Sequence, residues 1–219
     1  GPGYLFGSDL SSDGRQTNSH CAVYIDNQNS SEFRDIKGWL QTPKKVIING
    51  PRNVPKEISN DEGIGIFEGA HDGYVKSHGL THVRKLKLSQ DGQSLEGEDL
   101  MIAIEDTNKR QFDKISKKNS SVKMSVKAAF HLHPNVALRL DRENNLTSLA
   151  LKNGEVWIFN YGLDLHLQLE PTIFFESGLF EPLESKKLIL STDLLDYGTR
   201  IKWSLVRALD KDLSVGDLF

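Results

Sequence analysis

The sequence lacks the features that mark several large functional classes. Its single cysteine, Cys21, excludes an internal disulfide and leaves the redox compartment open. No apolar run is long enough to span a membrane, and no basic-then-apolar segment resembles a secretory signal. The formal net charge of −3 gives no global basic field. We therefore expect neither a nucleic-acid partner nor a membrane partner.

The chain is long enough for one large all-β domain or two small domains, because it has 219 residues of which 37% are hydrophobic. Gly1-Pro2-Gly3 resembles the remnant left when a protease removes an affinity tag, and we expect the natural protein to continue upstream. We assign residues 1–14 to this remnant and a linker, residues 15–209 to a single antiparallel β domain, and residues 210–219 to a polar tail.

Short strand-like segments recur about every ten residues and predict an all-β fold. Residues 80–89 alternate, as expected for a strand with two different faces: one side carries Leu80, His82, Arg84, Leu86 and Leu88, and the other carries Thr81, Val83, Lys85 and Lys87. Asp91-Gly92 and Asn153-Gly154 are typical of hairpin turns. Residues 106–121 are polar and rich in lysine without a regular pattern, which predicts a flexible surface loop. The fold class is therefore an antiparallel β-sandwich or layered β-sheet.

His20 is the first candidate for chemistry, because a polar run delivers it to the start of a strand that ends in Asp26. At ~3.3 Å per residue, a straight strand would place these two side chains about 20 Å apart, too far to share one ion. Nothing local supplies a second ligand, so spacing alone favours an ordinary structural histidine.

A second candidate is the group formed by His71, Asp72, Tyr74, His78 and His82, all within twelve residues. Such a group could hold a metal or perform acid–base chemistry. The alternative is a polar Asp-Gly turn with a buried tyrosine and solvated histidines, which we favour. His71 and Tyr74 remain candidates for lining a substrate-binding wall.

Three further features have ordinary explanations. His131 and His133 share one face of a strand, close enough to chelate a metal, but no third ligand is near in sequence, so we favour a structural or surface role. Cys21 has no nucleophile context and is expected to be a small buried residue. Lysine-rich runs at 76–87 and 114–123 could meet an acidic polysaccharide, although a solvated face is the default.

A family resemblance emerges when several segments are read together. The segment Arg15-x-Thr-x-Ser-His20-Cys-x-Val-x-Ile-Asp26 resembles the Arg-x-Thr-x-Ala-His-Asn/Ser-Thr-Leu-x-Val-Asp segment of the heparinase II/III-like polysaccharide lyases. Asn27-Gln-Asn-Ser-Ser-Glu32, Gly69-Ala-His-Asp-Gly-Tyr74 and His82-Val-Arg-Lys-Leu-Lys-Leu88 are similar to segments of one bacterial branch of that family. Three later segments fit in the same order, Phe130–Pro134, Leu151–Trp157 and Thr199–Trp203.

The resemblance implies the C-terminal β domain of an enzyme whose N-terminal α/α toroid lies outside this chain. Such an enzyme cleaves an acidic, uronate-containing polysaccharide, such as a glycosaminoglycan, by β-elimination. A base removes the proton beside the uronate carboxylate, and an acid, often tyrosine, protonates the leaving oxygen. The catalytic residues would lie in the toroid, so none is assigned to this chain and the fragment is expected to be inactive alone. The family also suggests a periplasmic or secreted location.

For the site itself, the resemblance implies that His20 lies at the interface with the toroid and serves as a zinc ligand in zinc-containing members. The other zinc ligands would lie upstream of this chain. Cys21 stands where the family has Asn or Ser. The alternative function is a non-catalytic carbohydrate-binding or structural β-sandwich module. Binding modules often expose aromatic residues on one face, whereas Trp157 and Trp203 lie in apolar strands that indicate a core position.

Overall fold

The computed structural model of the chain describes residues 16–36, 44–118, 123–141, 143, 146–176 and 181–208, with backbone only at 44 and 45. The predicted N-terminal linker, the predicted C-terminal tail and Trp39 lie outside these residues. The described residues form strands β1 Val23–Ile25, β2 Glu32–Ile36, β3 Lys44–Asn49, β4 Lys56–Asp61, β5 Ile64–Tyr74, β6 Leu80–Leu88, β7 Ser94–Ile102, β8 Ser125–His131, β9 Ala137–Asp141, β10 Leu146–Ala150, β11 Val156–Tyr161, β12 His166–Phe174, β13 Leu183–Asp193 and β14 Gly198–Arg207. Two helices, α1 Val75–His78 and α2 Asp106–Lys118, and a 3-10 turn, Thr17–Ser19, complete the described elements.

The strands form two packed antiparallel sheets and a separate hairpin. The large sheet has the order β4-β5-β6-β7-β14-β11-β10-β9, and the small sheet has the order β1-β8-β13-β12. Strands β2 and β3 pair only with each other among the described residues. The predicted antiparallel β-sandwich is confirmed. None of the helices described in this structure is long and apolar enough to cross a bilayer.

The core lies between the two sheets, where inward side chains alternate with outward ones. An aromatic group joins the sheets: the Phe130 ring on β8 lies 4.9 Å from the Trp203 ring on β14 and 5.0 Å from the Phe159 ring on β11, measured between centroids. Edge-to-face contacts of this kind add to the free energy gained by burial. The alternation predicted for residues 80–89 is observed only at the start of β6, where Leu80 and His82 are buried and Thr81 is not. It does not continue to the end of the strand, because Leu88 is 45% exposed.

The predicted flexible loop at 106–121 was wrong for most of its length, because Asp106–Lys118 is the helix α2. Phe112 is buried and its ring lies 5.6 Å from the Tyr197 ring, while Ile115 packs against the core. Two apolar residues three positions apart provide a narrow contact stripe, which is too sparse to give a clear helical period in the sequence. Asp106 in the first turn and the lysines in the last turn complement the helix dipole.

Candidate functional site

Side chains from neighbouring strands of the large sheet form a buried polar network. We call it the histidine–aspartate network, made of His71 on β5, His82 and Arg84 on β6, Asp99 on β7 and Trp203 on β14. His71 Nε2 lies 3.2 Å from His82 Nδ1, and His82 Nε2 lies 2.9 Å from Asp99 Oδ1. The network therefore brings together two residues of the predicted histidine group and an aspartate that the sequence did not single out. The expectation of solvated histidines was wrong for His78 and His82, which are 2% and 7% exposed.

Asp99 is the centre of this network and is 1% exposed. The Arg84 guanidinium binds both carboxylate oxygens, with Nε 2.7 Å from Oδ1 and Nη2 3.1 Å from Oδ2. Trp203 Nε1 donates to Oδ2 at 3.2 Å. Burial alone would raise the pKa of Asp99, but the hydrogen bond from His82 and the charge of Arg84 outweigh it and lower that pKa. Asp99 is thus a buried carboxylate with charged and neutral donors around it.

The hydrogen bonds fix the tautomers of both histidines. The Gly73 N–H donates to His71 Nδ1 at 3.2 Å, so Nδ1 carries no proton and Nε2–H of a neutral His71 donates to His82. His82 then donates from Nε2 to Asp99. Burial and the neighbouring His82 lower the pKa of His71 to about 4. Both nitrogens of His71 are engaged inside the protein, so the network is arranged for positioning.

Residues 26–32, which we call the Asn loop, follow β1 and are fixed to the small sheet by Asp26. Asp26 Oδ1 accepts from the Ser125 backbone N–H at 2.9 Å and from the Ser125 hydroxyl at 3.2 Å, and Asp26 N–H donates to Ser125 O at 2.8 Å. Asp26 has φ of 51°, in the left-handed region that aspartate tolerates better than most residues. Asp26 therefore turns the chain out of the strand and holds it there.

A second set of bonds ties the Asn loop to the 3-10 turn. Asn29 Oδ1 accepts from the Thr17 N–H at 2.7 Å, and Thr17 Oγ1 accepts from the Ser30 N–H at 3.0 Å. These residues lie twelve and thirteen positions apart in sequence. The side chains of Thr17 and Asn29 thus accept hydrogen bonds from backbone N–H groups that have no partner in a strand or helix.

Tyr74 lies beneath the Asn loop. Its hydroxyl donates to Val23 O at 3.0 Å and lies 3.4 Å from Gln28 O. Tyr74 has 0% exposure, and burial raises its pKa. In this structure Tyr74 supports the loop from inside, so its direct contact with a substrate stays a prediction, as does that of His71.

An open cavity of about 870 Å³, which we call the loop pocket, lies between the Asn loop and the start of α1. Amide and hydroxyl side chains dominate its lining, and the charged groups are Arg52, Lys76, Glu32 and Asp72. Within the described part of the chain, no hydrogen bond or ion pair engages the Arg52 guanidinium or the Lys76 ammonium. The pocket can therefore offer two cations and several neutral polar groups to a ligand.

Asp72 fixes the backbone that carries Arg52. Its Oδ1 accepts from the Arg52 N–H at 2.8 Å and from the Asn53 N–H at 3.2 Å. Desolvation opposes these bonds, but the two backbone donors prevail and lower the pKa of Asp72. Gly73, the next residue, joins the loop pocket to the histidine–aspartate network through its bond to His71.

The other predicted site residues lie elsewhere. His20 is half-buried next to His131, whose Nε2–H donates to Asn18 O at 3.0 Å. His133 makes separate contacts: its Nδ1 accepts from the Asn135 N–H, and its ring lies 4.7 Å from that of Phe174.

The prediction that Cys21 is a buried residue was wrong. Cys21 is exposed, and its Sγ accepts from the His131 N–H at 3.3 Å.

Metal binding by His20 stays a prediction. Among the described residues, no group of three or more His, Cys, Asp or Glu side chains could hold a metal ion. His131 and His133 do not share a ligand position, because the first is bonded to Asn18 and the second packs on Phe174. A zinc ion bound by His20 would need its remaining ligands from outside this part of the chain.

Sequence reasoning missed Asp99, Arg84 and Arg52 as site residues. The signal for Asp99 was a carboxylate on the same strand face as Gly97 and Met101, both of which are buried, and a buried carboxylate needs a partner on a neighbouring strand. Arg84 had been assigned to the same side of the strand as His82, and in the structure both side chains bind Asp99. Arg52 carried no signal, because its placement depends on Asp72, twenty residues later.

Comparison with known proteins identifies the family. The family description "Heparinase II/III-like, C-terminal" matches residues 1–204 of this chain. The chain belongs to the heparinase II/III-like family, in its C-terminal domain. The predicted resemblance is thereby confirmed. The chain is also similar in sequence to FtsZ-localized protein C of Caulobacter vibrioides (strain NA1000 / CB15N), with 24% identity over 164 residues, which are 74% of this chain and 27% of that protein.

Solved structures show the same heparinase-type fold. A mutant of the heparan sulfate lyase HepC from Pedobacter heparinus matches with a TM-score of 0.64 and 12% identity over 94% of this chain and 27% of that one. A structure of heparinase III matches with a TM-score of 0.58 and 12% identity over 93% of this chain and 26% of that one. The chain therefore spans about a quarter of the length of the relatives it matches.

Proposed function

We propose that this chain is the β domain of a lyase that cleaves an acidic, uronate-containing polysaccharide by β-elimination, with its catalytic toroid outside the chain. One observation carries the proposal: the segment that resembles the family motif builds one wall of the loop pocket. Residues 17 and 26–32 are bonded to one another, to β8 and to Tyr74. A motif that served only as a strand would not need this long-range anchoring.

In this proposal the chain positions the substrate and the toroid performs the proton transfers. The loop pocket has the volume of a ligand site, about 870 Å³, and neutral polar groups suited to sugar hydroxyls. His20 follows the 3-10 turn and precedes β1, outside the lining of the loop pocket, and the family resemblance implies that it faces the toroid. There it contacts the substrate or contributes one ligand to a zinc ion. Zinc, when bound, would neutralise the uronate carboxylate and acidify the adjacent proton.

The roles of His71 and Tyr74 in this proposal are indirect. His71 accepts from Gly73 and Tyr74 donates beneath the Asn loop, so both keep the pocket wall in place. Each would affect substrate binding through the loop. A substitution at either position is therefore expected to alter KM together with stability.

The test is a lyase assay on the full-length protein, following the ultraviolet absorbance of unsaturated uronate over a panel of acidic polysaccharides. His20→Ala is expected to reduce kcat/KM by about 100-fold, which corresponds to roughly 2.7 kcal/mol of transition-state stabilisation. His166→Ala is the matched control, because His166 is an exposed histidine at the start of β12. Equal activity in both variants would remove His20 from the site, and the absence of any product on every substrate would reject the lyase proposal.

A second candidate is a non-catalytic module that binds glycan or braces a partner domain. The observation that favours it is that every ring nitrogen of His71 and His82 already has a hydrogen-bond partner inside the protein, so neither ring is free for acid–base chemistry. The curated relative is also named for localisation with FtsZ and not for a reaction. Glycan binding by this chain, together with a full-length protein that forms no unsaturated product, would favour the module.

A further inference from the structure

We infer that the loop pocket binds a sparsely charged glycan that carries isolated uronate carboxylates, with Arg52 as the carboxylate partner, and not a densely sulfated chain. The inference rests on the proposed function and adds the substrate class to it. Three properties of the pocket carry the argument: its charge balance, its neutral lining and the rigidity of its wall.

The charge balance of the pocket argues against a polyanion. Arg52 and Lys76 contribute two positive charges to the lining, and Glu32 and Asp72 contribute two negative charges. A chain with several sulfates per disaccharide would place anions beside Glu32 and Asp72, and like charges at close range are unfavourable. One carboxylate per repeat can pair with Arg52 without this cost.

Arg52 is better placed than Lys76 to recognise a carboxylate. Its guanidinium is a planar fork that binds both carboxylate oxygens, whereas an ammonium is a point charge. The two hydrogen bonds from Arg52 N–H and Asn53 N–H to Asp72 fix its backbone. Among the residues that the structure describes, no hydrogen bond or ion pair engages the Arg52 guanidinium, so it is available to a ligand.

The rest of the lining suits uncharged sugar. Side chains of Asn27, Gln28, Ser31, Asn49 and Ser77 border the cavity and offer both donors and acceptors. Hydroxyl-rich sugars need both kinds of partner, whereas sulfate groups only accept. A lining dominated by amides and hydroxyls therefore fits a repeat whose polar atoms are mostly hydroxyls.

The wall of the pocket is fixed before any ligand binds. Asn29 is bonded to Thr17, Gln28 O lies against the Tyr74 hydroxyl, and the Ser30 carbonyl lies against Gly73. Ordering these groups in advance lowers the entropy lost on binding. A preformed wall can therefore discriminate between ligands by their charge pattern.

The experiment titrates this chain by calorimetry with three tetrasaccharides of equal length. The first is an unsulfated glucuronate tetrasaccharide, the second is its carboxyl-reduced analogue, and the third is a fully sulfated heparin tetrasaccharide. We expect the first to bind most tightly at moderate salt. Arg52→Gln should weaken it by at least about tenfold while leaving the carboxyl-reduced sugar unchanged.

Arg200→Gln is the matched control, because Arg200 is exposed on the large sheet and pairs with Glu98 outside the pocket. It should leave all three affinities unchanged, and thermal unfolding should show that both variants are folded. Tighter binding of the sulfated sugar, an Arg52→Gln variant with unaltered affinity, or no binding of any sugar would each overturn the inference. The lyase assay on the full-length protein is separate, so its result tells whether the proposed function fails as well.

Discussion

Gly73 packs against the backbone of Ser30 so closely that a β-carbon at position 73 would lie 2.7 Å from the Ser30 carbonyl oxygen. The same Gly73 donates its N–H to His71. This contact is the point at which the histidine–aspartate network meets the Asn loop. The two halves of the candidate site are therefore mechanically connected through one glycine.

Gly73→Ala is expected to push the Asn loop away, because the atom it would meet is backbone and cannot rotate aside. We predict a loss of about 1–3 kcal/mol in the free energy of unfolding, typical of overpacking, together with weaker uronate binding. Urea denaturation and calorimetry measure the two effects. Gly198→Ala is the control, since a β-carbon there meets no atom within 4 Å. Equal stability of the two variants would show that the loop is not held by this contact.

Asp99→Asn removes the buried negative charge that pairs with Arg84 and accepts a hydrogen bond from His82. Breaking a buried pair by removing one partner costs about 3–5 kcal/mol, and we expect a loss of that order in urea denaturation. Glu68→Gln is the contrast, because the Lys85–Glu68 pair has side chains 43% and 52% exposed. That change should cost less than about 1 kcal/mol. Similar losses for the two variants would contradict the buried role of Asp99.

Stability is expected to decrease in mild acid because of His71. Burial, then the neighbouring His82, lower its pKa from the ordinary value of 6.5 to about 4 in the folded protein. As the pH falls, His71 is therefore protonated in the unfolded chain before it is protonated in the folded protein. The stability that neutral His71 contributes is fully present above pH 6.5 and is lost as the pH falls toward 4. When the urea midpoint is plotted against pH across that range, the slope should be shallower for His71→Gln than for the unmodified protein.

His78 and His131 contribute to the same pH dependence, since burial lowers the pKa of both. For this reason the His71→Gln slope should decrease without vanishing. His166→Gln, at an exposed position, should retain the full slope. A His71→Gln slope equal to that of the unmodified protein would mean that His71 is already solvated in the folded state.

Thr147 offers a prediction in the stabilising direction. It is 0% exposed on β10, and its hydroxyl has no hydrogen-bond partner within the described structure. Thr147→Val keeps the shape of the side chain and removes the unsatisfied group, so we expect a gain of about 1 kcal/mol in the free energy of unfolding. A lower urea midpoint for Thr147→Val would indicate that the hydroxyl has a partner after all.

Local patterns were sufficient to predict much of the fold. The alternation in residues 80–89 assigned Leu80, His82 and Arg84 to one face of a strand, because side chains in a strand point to opposite faces in turn. In the structure Leu80 and His82 are buried and Arg84 binds Asp99, although Leu88 on the same predicted face is exposed. The Asp91-Gly92 and Asn153-Gly154 pairs lie in the connections between β6 and β7 and between β10 and β11, as predicted. Helix α2 was missed, because its contact with the core rests on Phe112 and Ile115 alone among its described apolar residues.

The site was less predictable, since it depends on pairing between distant residues. Asp99 meets His82 through the register of β6 and β7, which local periodicity does not encode. The Asn loop is fixed by Ser125, 99 residues from Asp26, and by Tyr74, 46 residues from Gln28. The sequence marked Asp26 as the carboxylate at the end of a strand and His71 and Tyr74 as members of the histidine group, but their roles in supporting the loop required the folded structure.

The most direct test of the central claim compares the full-length protein with this chain alone in the lyase assay, using an unsulfated uronate polysaccharide. The account predicts that the full-length protein forms unsaturated uronate, while this chain binds the sugar without forming product. Product formation by this chain alone would contradict the assignment of catalysis to the toroid. A full-length protein that forms no product on any acidic polysaccharide would contradict the lyase function itself.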